Sequence, residues 1–306
     1  MQNDTYTLIH LSDLHLLSLK GIQWQELLNK RIYGLLSKTL ANKGSVNYNQ
    51  ILDTLQGEIS RIKPHWTVFS GDLTHLALFE EFQQGEKWLS GLSQYSRLIA
   101  VPGNHDSYLP QPAPPNPENW KFGTDCEPGI ENKDTSNRFP FTIISPPVAL
   151  IGLDTSLPTP TFCAYGRIGE AQLQELQSLL ENLRDRDLFK ILILHHPPGD
   201  KILPKRKRLL DSERLLSLLQ SYPVQMVLHG HTHKQGVSCP DDARGLKSFG
   251  ISSISALNKK GNKRSAINIF QIQSLNDFSW KVDLNVKKYS REAQNFVNTL
   301  HKEYIY

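Results

Sequence analysis

Carboxylate, amide and imidazole side chains follow five apolar stretches of this 306-residue sequence. These side-chain types ligate divalent metals such as Mn²⁺, Zn²⁺, Fe²⁺ and Co²⁺, and they also transfer protons. In chain order the residues are Asp13 and His15 in LSDLHL, Asp72 in SGDLTH, Asn104, His105 and Asp106 in PGNHDS, His195 in LHHPP, and His231 and His233 in HGHTH. No cysteine lies among them, which argues against a structural zinc site.

The stretches that precede these residues have the composition of buried β-strands. Near-continuous apolar runs, typical of strands covered on both faces, occur at residues 6–16, 65–74, 96–106, 147–156, 190–198 and 225–233. Apolar residues at helical spacing lie between them, at residues 51–62, 82–92, 173–183 and 215–219. The alternation predicts an α/β domain with much parallel sheet. Three later runs, at 249–257, 265–273 and 278–288, predict antiparallel strands.

The carboxyl ends of parallel strands face one crevice in open α/β sheets, so we expect the polar side chains to meet there. Their number exceeds what one metal ion takes. Asp72 can bridge two ions, and the others divide into Asp13, His15 and His233 for one ion and Asn104, His195 and His231 for the other. A hydroxide shared by two ions about 3.5 to 4 Å apart is a strong nucleophile at neutral pH, and the ions neutralise charge on an attacked phosphoryl group.

Two neighbours of Asn104 receive roles other than ligation. We predict that His105 donates a proton to the leaving oxygen. Asp106 would then orient the His105 ring, and the alternative for Asp106 is a turn or cap after the strand.

The ordered motifs resemble the calcineurin-like metallophosphoesterase superfamily. The resemblance spans residues 13–233 and rests on Asp-x-His, Gly-Asp, Gly-Asn-His-Asp, His and Gly-His-x-His. It implies an α/β fold, a four-layer αββα sandwich with two mixed β-sheets. It also implies phosphoester hydrolysis with two divalent metal ions, of which we favour Mn²⁺ over Fe, Zn, Ni or Co. The resemblance supports the seven ligands named above and His105 as the acid, and it leaves His196 as a residue behind the ligands.

Differences between this sequence and some branches of the superfamily limit which branch it resembles. The chain has GDLTHLA and GNHD where the protein Ser/Thr phosphatases of the superfamily have Asp-Arg-Gly and Gly-Asn-His-Glu. It has little room for the capping domain of the double-strand-break nucleases. The remaining similarity is to bacterial cyclic-nucleotide phosphodiesterases, glycerophosphodiesterases and UDP-2,3-diacylglucosamine pyrophosphatases. A pyrophosphatase of the last type is our leading prediction, and a cyclic-nucleotide phosphodiesterase is the rival. A nuclease and a noncatalytic metal-binding interaction module are further alternatives.

Three segments are expected around the crevice and suggest substrate contacts. Residues 17–48 are an insertion that is either a packed amphipathic helix or a lid, whose apolar face meets acyl chains while Arg31 meets phosphate. Residues 107–140 form a second insertion with seven prolines, and loops of that length are often functional. Lys205, Arg206 and Arg208 suit a phosphate or nucleotide, and a solvated basic run is the alternative.

Composition limits the remaining classes of function. The net charge of +4 is too small to indicate a nucleic-acid partner, and no apolar run approaches the eighteen or so residues of a membrane span. Three scattered cysteines suit a reducing compartment, so we expect a cytoplasmic protein, with peripheral contact on the inner face of a membrane as an option. We expect one catalytic domain over residues 1–288. The tail at 289–306 would be a short helix or a docking segment, and the oligomeric state is undetermined.

Overall fold

The computed structural model describes residues 5–41, 48–110, 139–200, 202–240, 245–256, 264–276 and 278–306. Most of the predicted insertion at 107–140 and part of that at 17–48 therefore lie outside the described residues. No helix in the described ranges is both long enough and apolar enough to cross a bilayer.

Two mixed β-sheets form the centre of the molecule. The first has the strand order β12-β11-β10-β1-β2-β3, in which β1, β2 and β3 are mutually parallel. Its strands are β1 (Tyr6–Leu11), β2 (Trp66–Phe69), β3 (Arg97–Ala100), β10 (Ala266–Asn276), β11 (Ser279–Ser290) and β12 (Asn295–Ile305). The second has the order β4-β5-β6-β7-β9-β8, and its central strands β5, β6, β7 and β9 are parallel. Its strands are β4 (Phe141–Ser145), β5 (Val148–Gly152), β6 (Phe189–Ile193), β7 (Met226–His229), β8 (Gly236–Ser238) and β9 (Lys247–Gly250).

Helices cover the outer face of each sheet. Those that the structure describes are α1 (Arg31–Ala41), α2 (Tyr48–Ile62), α3 (Phe79–Leu92), α4 (Glu170–Asn182) and α5 (Ser212–Ser221). Successive strand residues point to opposite faces, so Leu8 packs between the sheets while Ile9 packs toward α2 and α3. On the second sheet, Ile191 faces the first sheet and Leu192 faces α4 and α5. Three apolar layers thus separate four structural layers, and the predicted αββα sandwich is confirmed.

The C-terminal tail corrects one prediction, because residues 295–305 form a strand and not a helix. Strand β12 pairs antiparallel with β11 and extends the first sheet. Phe296, Leu300 and Tyr304 lie four residues apart, a spacing that fits a helical stripe and alternate inward positions of a strand equally well. A bulge opposite Val286 and Lys287 shifts the register, so that Phe296 packs toward the helices and Leu300 toward the other sheet.

The position of β12 predicts different effects on stability for substitutions at two adjacent residues, Phe296 and Val297. Phe296 is buried, so Phe296→Ala should lower the free energy of unfolding by about 3 kcal/mol through a cavity. Val297 lies on the opposite, exposed face, and Val297→Ala should change it by less than about 0.5 kcal/mol. Urea denaturation of both variants measures the difference. Equal losses would contradict the strand assignment of the tail.

Candidate metal centre

Five strands end at one edge of the sandwich and deliver the predicted polar residues there. Within the first sheet, the Asp13 amide donates to the Gly71 carbonyl over 2.9 Å, which holds the loops after β1 and β2 side by side. Across the sheets, His195 Nδ1 lies 2.8 Å from the Ser70 carbonyl oxygen. The loops after β6 and β7 meet where the Gly230 amide donates to the His195 carbonyl. The predicted convergence is therefore a feature of the fold.

One group at this edge joins Asp13, His15, Asp72 and His233, which each offer a ligand atom within 4.8 Å of the others. The Nε2 atoms of His15 and His233 are 3.0 Å apart, and His233 Nε2 is 3.0 Å from Asp13 Oδ1. Both carboxylate oxygens of Asp13 are buried, and Oδ1 faces the rings of His233 and His15. Buried carboxylates surrounded by imidazole nitrogens fit a divalent metal, because the cation would neutralise their charge.

A second group shares Asp72 with the first. Asp72 Oδ2 lies 3.2 Å from His195 Nε2 and 3.7 Å from His15 Nε2, which places this carboxylate between the two groups. Asn104 Oδ1 lies 2.9 Å from His231 Nδ1. His195 Nε2 faces the Asp72 carboxylate. All seven predicted ligands thus lie at the same edge of the sandwich.

Hydrogen bonds fix which nitrogen of two rings faces the centre. His195 Nδ1–H donates to the Ser70 carbonyl, which directs Nε2 toward Asp72 and the centre. His231 Nε2–H donates to the Lys207 carbonyl over 2.9 Å, which leaves Nδ1 beside Asn104. Carbonyl partners of this kind orient a metal-binding imidazole and set its tautomer.

Charge keeps the shared carboxylate ionised despite its burial. Burial raises the pKa of Asp72, but the neighbouring His195 and His105 outweigh it, and the net pKa lies well below the ordinary value. Burial lowers the pKa of His195, and the Asp72 charge and hydrogen bond raise it further than burial lowers it. His195 and Asp72 therefore stabilise each other's charged forms, which keeps the Asp72 carboxylate anionic.

The loops that carry the ligands have strained backbones. Asp13, His15, Asp72, His231 and His233 have φ angles between 49° and 64°. This left-handed region is unfavourable for residues other than glycine, and each case costs on the order of 1 kcal/mol. The strain persists because the surrounding loops are packed without spare room. At Gly71, whose φ is 98°, an added Cβ would lie 2.6 Å from His195 Nδ1.

His105 meets a different partner from the one we predicted. Its Nδ1 donates to the His75 carbonyl over 2.7 Å, and not to Asp106. The Asp106 carboxylate instead accepts from the amides of Gly103 and Thr74, both over 2.9 Å. Burial raises the pKa of Asp106, and the charge of Asp72 raises it further. Asp106 is therefore corrected from a catalytic partner to a tie between the loops after β2 and β3, because backbone donors surround it.

Residues 6–235 match the model of the calcineurin-like phosphoesterases, which is about three quarters of the chain. This chain belongs to the calcineurin-like phosphoesterase family. The family and the His–Asp cluster together make it a metal-dependent phosphoester hydrolase with a dinuclear metal site. The predicted superfamily is confirmed.

Solved structures share the fold of this phosphoesterase at low sequence identity. A dimetal phosphatase from Danio rerio is 12% identical, with a TM-score of 0.58 over 96% of this chain and 98% of its own. A purple acid phosphatase from yellow lupin seeds is also 12% identical, with a TM-score of 0.56 over 99% of this chain and 54% of its own. GAP50, the anchor in the inner membrane complex of Plasmodium, has a TM-score of 0.54 at 12% identity over 94% and 85%. No curated protein sequence matches the chain.

His75 is a residue of the site whose role the sequence did not reveal. Its ring stacks against that of His105, with centroids 5.2 Å apart and planes 17° apart. Its Nε2 lies 3.1 Å from the Gly34 carbonyl, and its amide donates to the buried Glu81 carboxylate. His75 is the last residue of SGDLTH, so its place in a ligand motif was the available signal. The phosphoesterase uses both its ring and its carbonyl to position His105.

Arg31 is not available to a substrate, which corrects a second prediction. The side chain is buried, and its Nε and Nη2 donate to the carbonyls of Leu76 and Ala77, each over 2.7 Å. A third donor, Nη1, reaches the Glu26 carbonyl. Guanidinium groups suit such forked contacts with several oxygens. Arg31 therefore fastens the start of α1 to the loop that carries His75.

The predicted basic residues surround a short 3-10 helix at Lys205–Lys207 beside the centre. Lys205 and Arg206 are exposed, whereas Arg208 is half-buried and its Nε donates to the Leu203 carbonyl. The Lys207 carbonyl accepts from His231, so the turn adjoins the ligands. Lys205 and Arg206 thus have side chains free to reach an anion, while Arg208 uses one donor within its own loop.

Gly103 provides a test of the packing around the bridging carboxylate. A Cβ there would collide with the side chain and backbone of Asp72, so Gly103→Ala should cost about 1 to 3 kcal/mol and displace that carboxylate. We expect fewer than two bound metals by elemental analysis and a matching loss of phosphodiester hydrolysis. Gly91→Ala is the control, since its Cβ meets only one atom at 3.9 Å and a helical alanine stabilises by up to about 1 kcal/mol. Full metal loading of Gly103→Ala would show that Gly103 does not hold the Asp72 carboxylate in place.

His75 can be tested as a positioning residue. His75→Ala keeps the carbonyl that accepts from His105 but removes the stacked ring, so kcat for a phosphodiester should fall about tenfold while KM changes little. The pH profile of kcat should shift as well, because the surroundings of His105 change. Two metals should remain bound. Loss of a metal in this variant would instead make His75 a ligand.

Proposed function

We propose that this phosphoesterase cleaves a phosphodiester or diphosphate bond in a small anionic substrate that is linked to a nucleotide or a lipid. The observation that carries the proposal is the pair of ligand groups joined by Asp72, beside His105, whose Nδ1 is held by the His75 carbonyl. We further propose that Mn²⁺ is the metal used, with Fe, Zn, Ni or Co as alternatives, and that the protein acts in the cytoplasm.

The ligands divide as their distances suggest. Asp13, His15 and His233 would hold one ion with Asp72, and Asn104, His195 and His231 would hold the other with the same carboxylate. Divalent ions bound there activate water as a nucleophile and offset the negative charge of the phosphoryl group. The protein supplies ligands that are already oriented, since the loops and carbonyl partners fix the rings before any substrate arrives.

His105 would supply the proton for the leaving oxygen. Its Nδ1 is engaged by the His75 carbonyl, so Nε2 is the nitrogen that can exchange a proton with a substrate. Burial lowers the pKa of His105, while the charge of Asp72 raises it in part. The net pKa of His105 lies below the ordinary imidazole value.

The rim of the site suggests the substrate class. Lys205 and Arg206 are exposed cations next to His231 and would bind a nucleotide or phosphate moiety. Exposed apolar side chains in the segment before and within α1 suit a substrate that is linked to a lipid and resides in a lipid surface. UDP-2,3-diacylglucosamine is therefore the leading candidate, and a cyclic nucleotide is the rival.

Two substitutions separate metal binding from proton transfer. With Mn²⁺ and bis-p-nitrophenyl phosphate, His105→Ala should lose at least about a hundredfold in kcat while it keeps two metals. Asp72→Asn should lose both turnover and bound metal, because the shared carboxylate is removed. His301→Ala, an exposed histidine on β12, is the control and should behave as the native protein. Undiminished turnover in the first two variants would refute the proposal.

A substrate panel decides among the finer alternatives. UDP-2,3-diacylglucosamine, cyclic AMP, a phosphate monoester and single-stranded DNA should be compared with each of Mn²⁺, Zn²⁺ and Ni²⁺. Preference for the acylated diphosphate supports the leading candidate, and preference for cyclic AMP supports the rival. DNA cleavage that falls steeply with salt would indicate a nuclease. Tight metal binding with no hydrolysis of any member would indicate a noncatalytic module.

A further inference from the structure

An exposed apolar segment, residues 19–36, borders the metal centre. Six of the fifteen large exposed apolar side chains in the described residues lie in these eighteen positions. Trp24 is 66% exposed, Leu28 64%, Ile32 42% and Leu36 53%. Soluble proteins scatter such residues over their surface, so a concentration of this size marks a surface that contacts another apolar phase.

The segment is held with its apolar side outward. Its inner side carries Arg31, whose guanidinium is bound by the carbonyls of Leu76 and Ala77. Gly34 fits so closely that an added Cβ would lie 2.7 Å from both Leu76 and Tyr108. An ordinary amphipathic helix buries its apolar face, whereas residues 31–36 at the start of α1 bury a cation and a glycine and expose Ile32 and Leu36. The exposure therefore comes from specific contacts on the other side of the segment.

The apolar segment and the basic turn form one continuous rim. Tyr33 packs against the exposed Phe162 with ring centroids 5.2 Å apart. Two residues further along the same loop, the Ala164 amide donates to the Arg206 carbonyl over 2.8 Å. Lys30 adds a link, since its Nζ donates to the Thr159 carbonyl over 2.9 Å. The rim thus runs from Trp24 through the loop at 159–164 to the turn at 205–207.

Cations dominate the exposed charge of this rim. Lys20, Lys205, Arg206 and Lys207 are all exposed, and Glu26 is the exposed acid among the described residues of the segment and the turn. Tryptophan and tyrosine suit the interface between headgroups and acyl chains because they combine an apolar ring with a polar group. Apolar side chains flanked by lysine and arginine are the composition of surfaces that bind anionic lipids.

We propose that this rim docks the phosphoesterase on the surface of an anionic lipid bilayer, with the apolar segment in the headgroup region and the basic turn against the phosphates. A second copy of the chain suits the rim less well, because a two-fold contact would place its cations against one another. The acyl chain of a single substrate would need a groove between the segment and the site, and that side is filled by Arg31 and Gly34. Docking is independent of the reaction, so it can be tested without turnover.

Co-sedimentation of the full chain with vesicles tests the proposal. The native protein should bind mixed phosphatidylglycerol–phosphatidylcholine vesicles, bind pure phosphatidylcholine vesicles much more weakly, and dissociate as salt is raised. The double variant Leu28→Asp with Ile32→Asp should bind the anionic vesicles at least about tenfold more weakly, because two inserted side chains become charged.

The matched control is Leu275→Asp with Phe278→Asp. These exposed residues lie at the turn between β10 and β11, beyond Ile272, which pairs with the first residue of β1 and so lies at the end of the sheet away from the metal centre. This variant should bind vesicles as the native protein does, and melting temperatures should show that both double variants are folded.

Three results would overturn the proposal. One is a native protein that stays in the supernatant with anionic vesicles at low salt. Another is equal vesicle binding by the Leu28/Ile32 variant and the native protein. The third is a native dimer in solution that the Leu28/Ile32 variant dissociates, which would assign the segment to a protein contact. Loss of hydrolysis in the metal-site variants with vesicle binding retained would leave docking intact and refute only the proposed reaction.

Discussion

Two buried carboxylates that share one edge of the sandwich with a group of imidazoles are the constraint on which the rest of the structure depends. Ionised oxygens removed from water are unfavourable unless donors or cations surround them. Asp72 is stabilised by the histidines around it, and Asp13 lies buried beside the His233 ring. A pair of divalent ions would neutralise both buried carboxylates. The electrostatics of the buried side chains therefore indicate a metal centre independently of the sequence motifs.

The loops around the centre are built to hold that arrangement against backbone strain. Five ligand residues adopt left-handed conformations, which they would leave if their neighbours allowed it. Asp106 ties two of the loops together through their amides, and Gly103 and Gly230 permit close approach where any side chain would collide. Preorganisation of this kind lets the site bind metal without a change of shape.

A second set of contacts links the centre to the outer rim. Arg31 binds the carbonyls next to His75, and His75 in turn packs on His105 and binds the Gly34 carbonyl. The apolar segment is thus fastened to the loop that positions His105. Contact between the rim and a lipid surface would bring the metal centre close to substrates that reside there, which connects the proposed docking with a lipid-linked phosphoester.

The sequence by itself determined the layers and the convergence of the predicted ligands, because apolar periodicity specifies strands and helices, and metal ligation demands particular side chains at strand ends. The sequence could not assign β12, because the spacing of residues 296, 300 and 304 fits both a helix and a strand. Only the pairing with β11 decided between the two. The partners of Arg31, His75 and Asp106 were likewise decided by tertiary structure. Each uses backbone carbonyls or amides from distant loops, and backbone groups are the same at every position of a sequence.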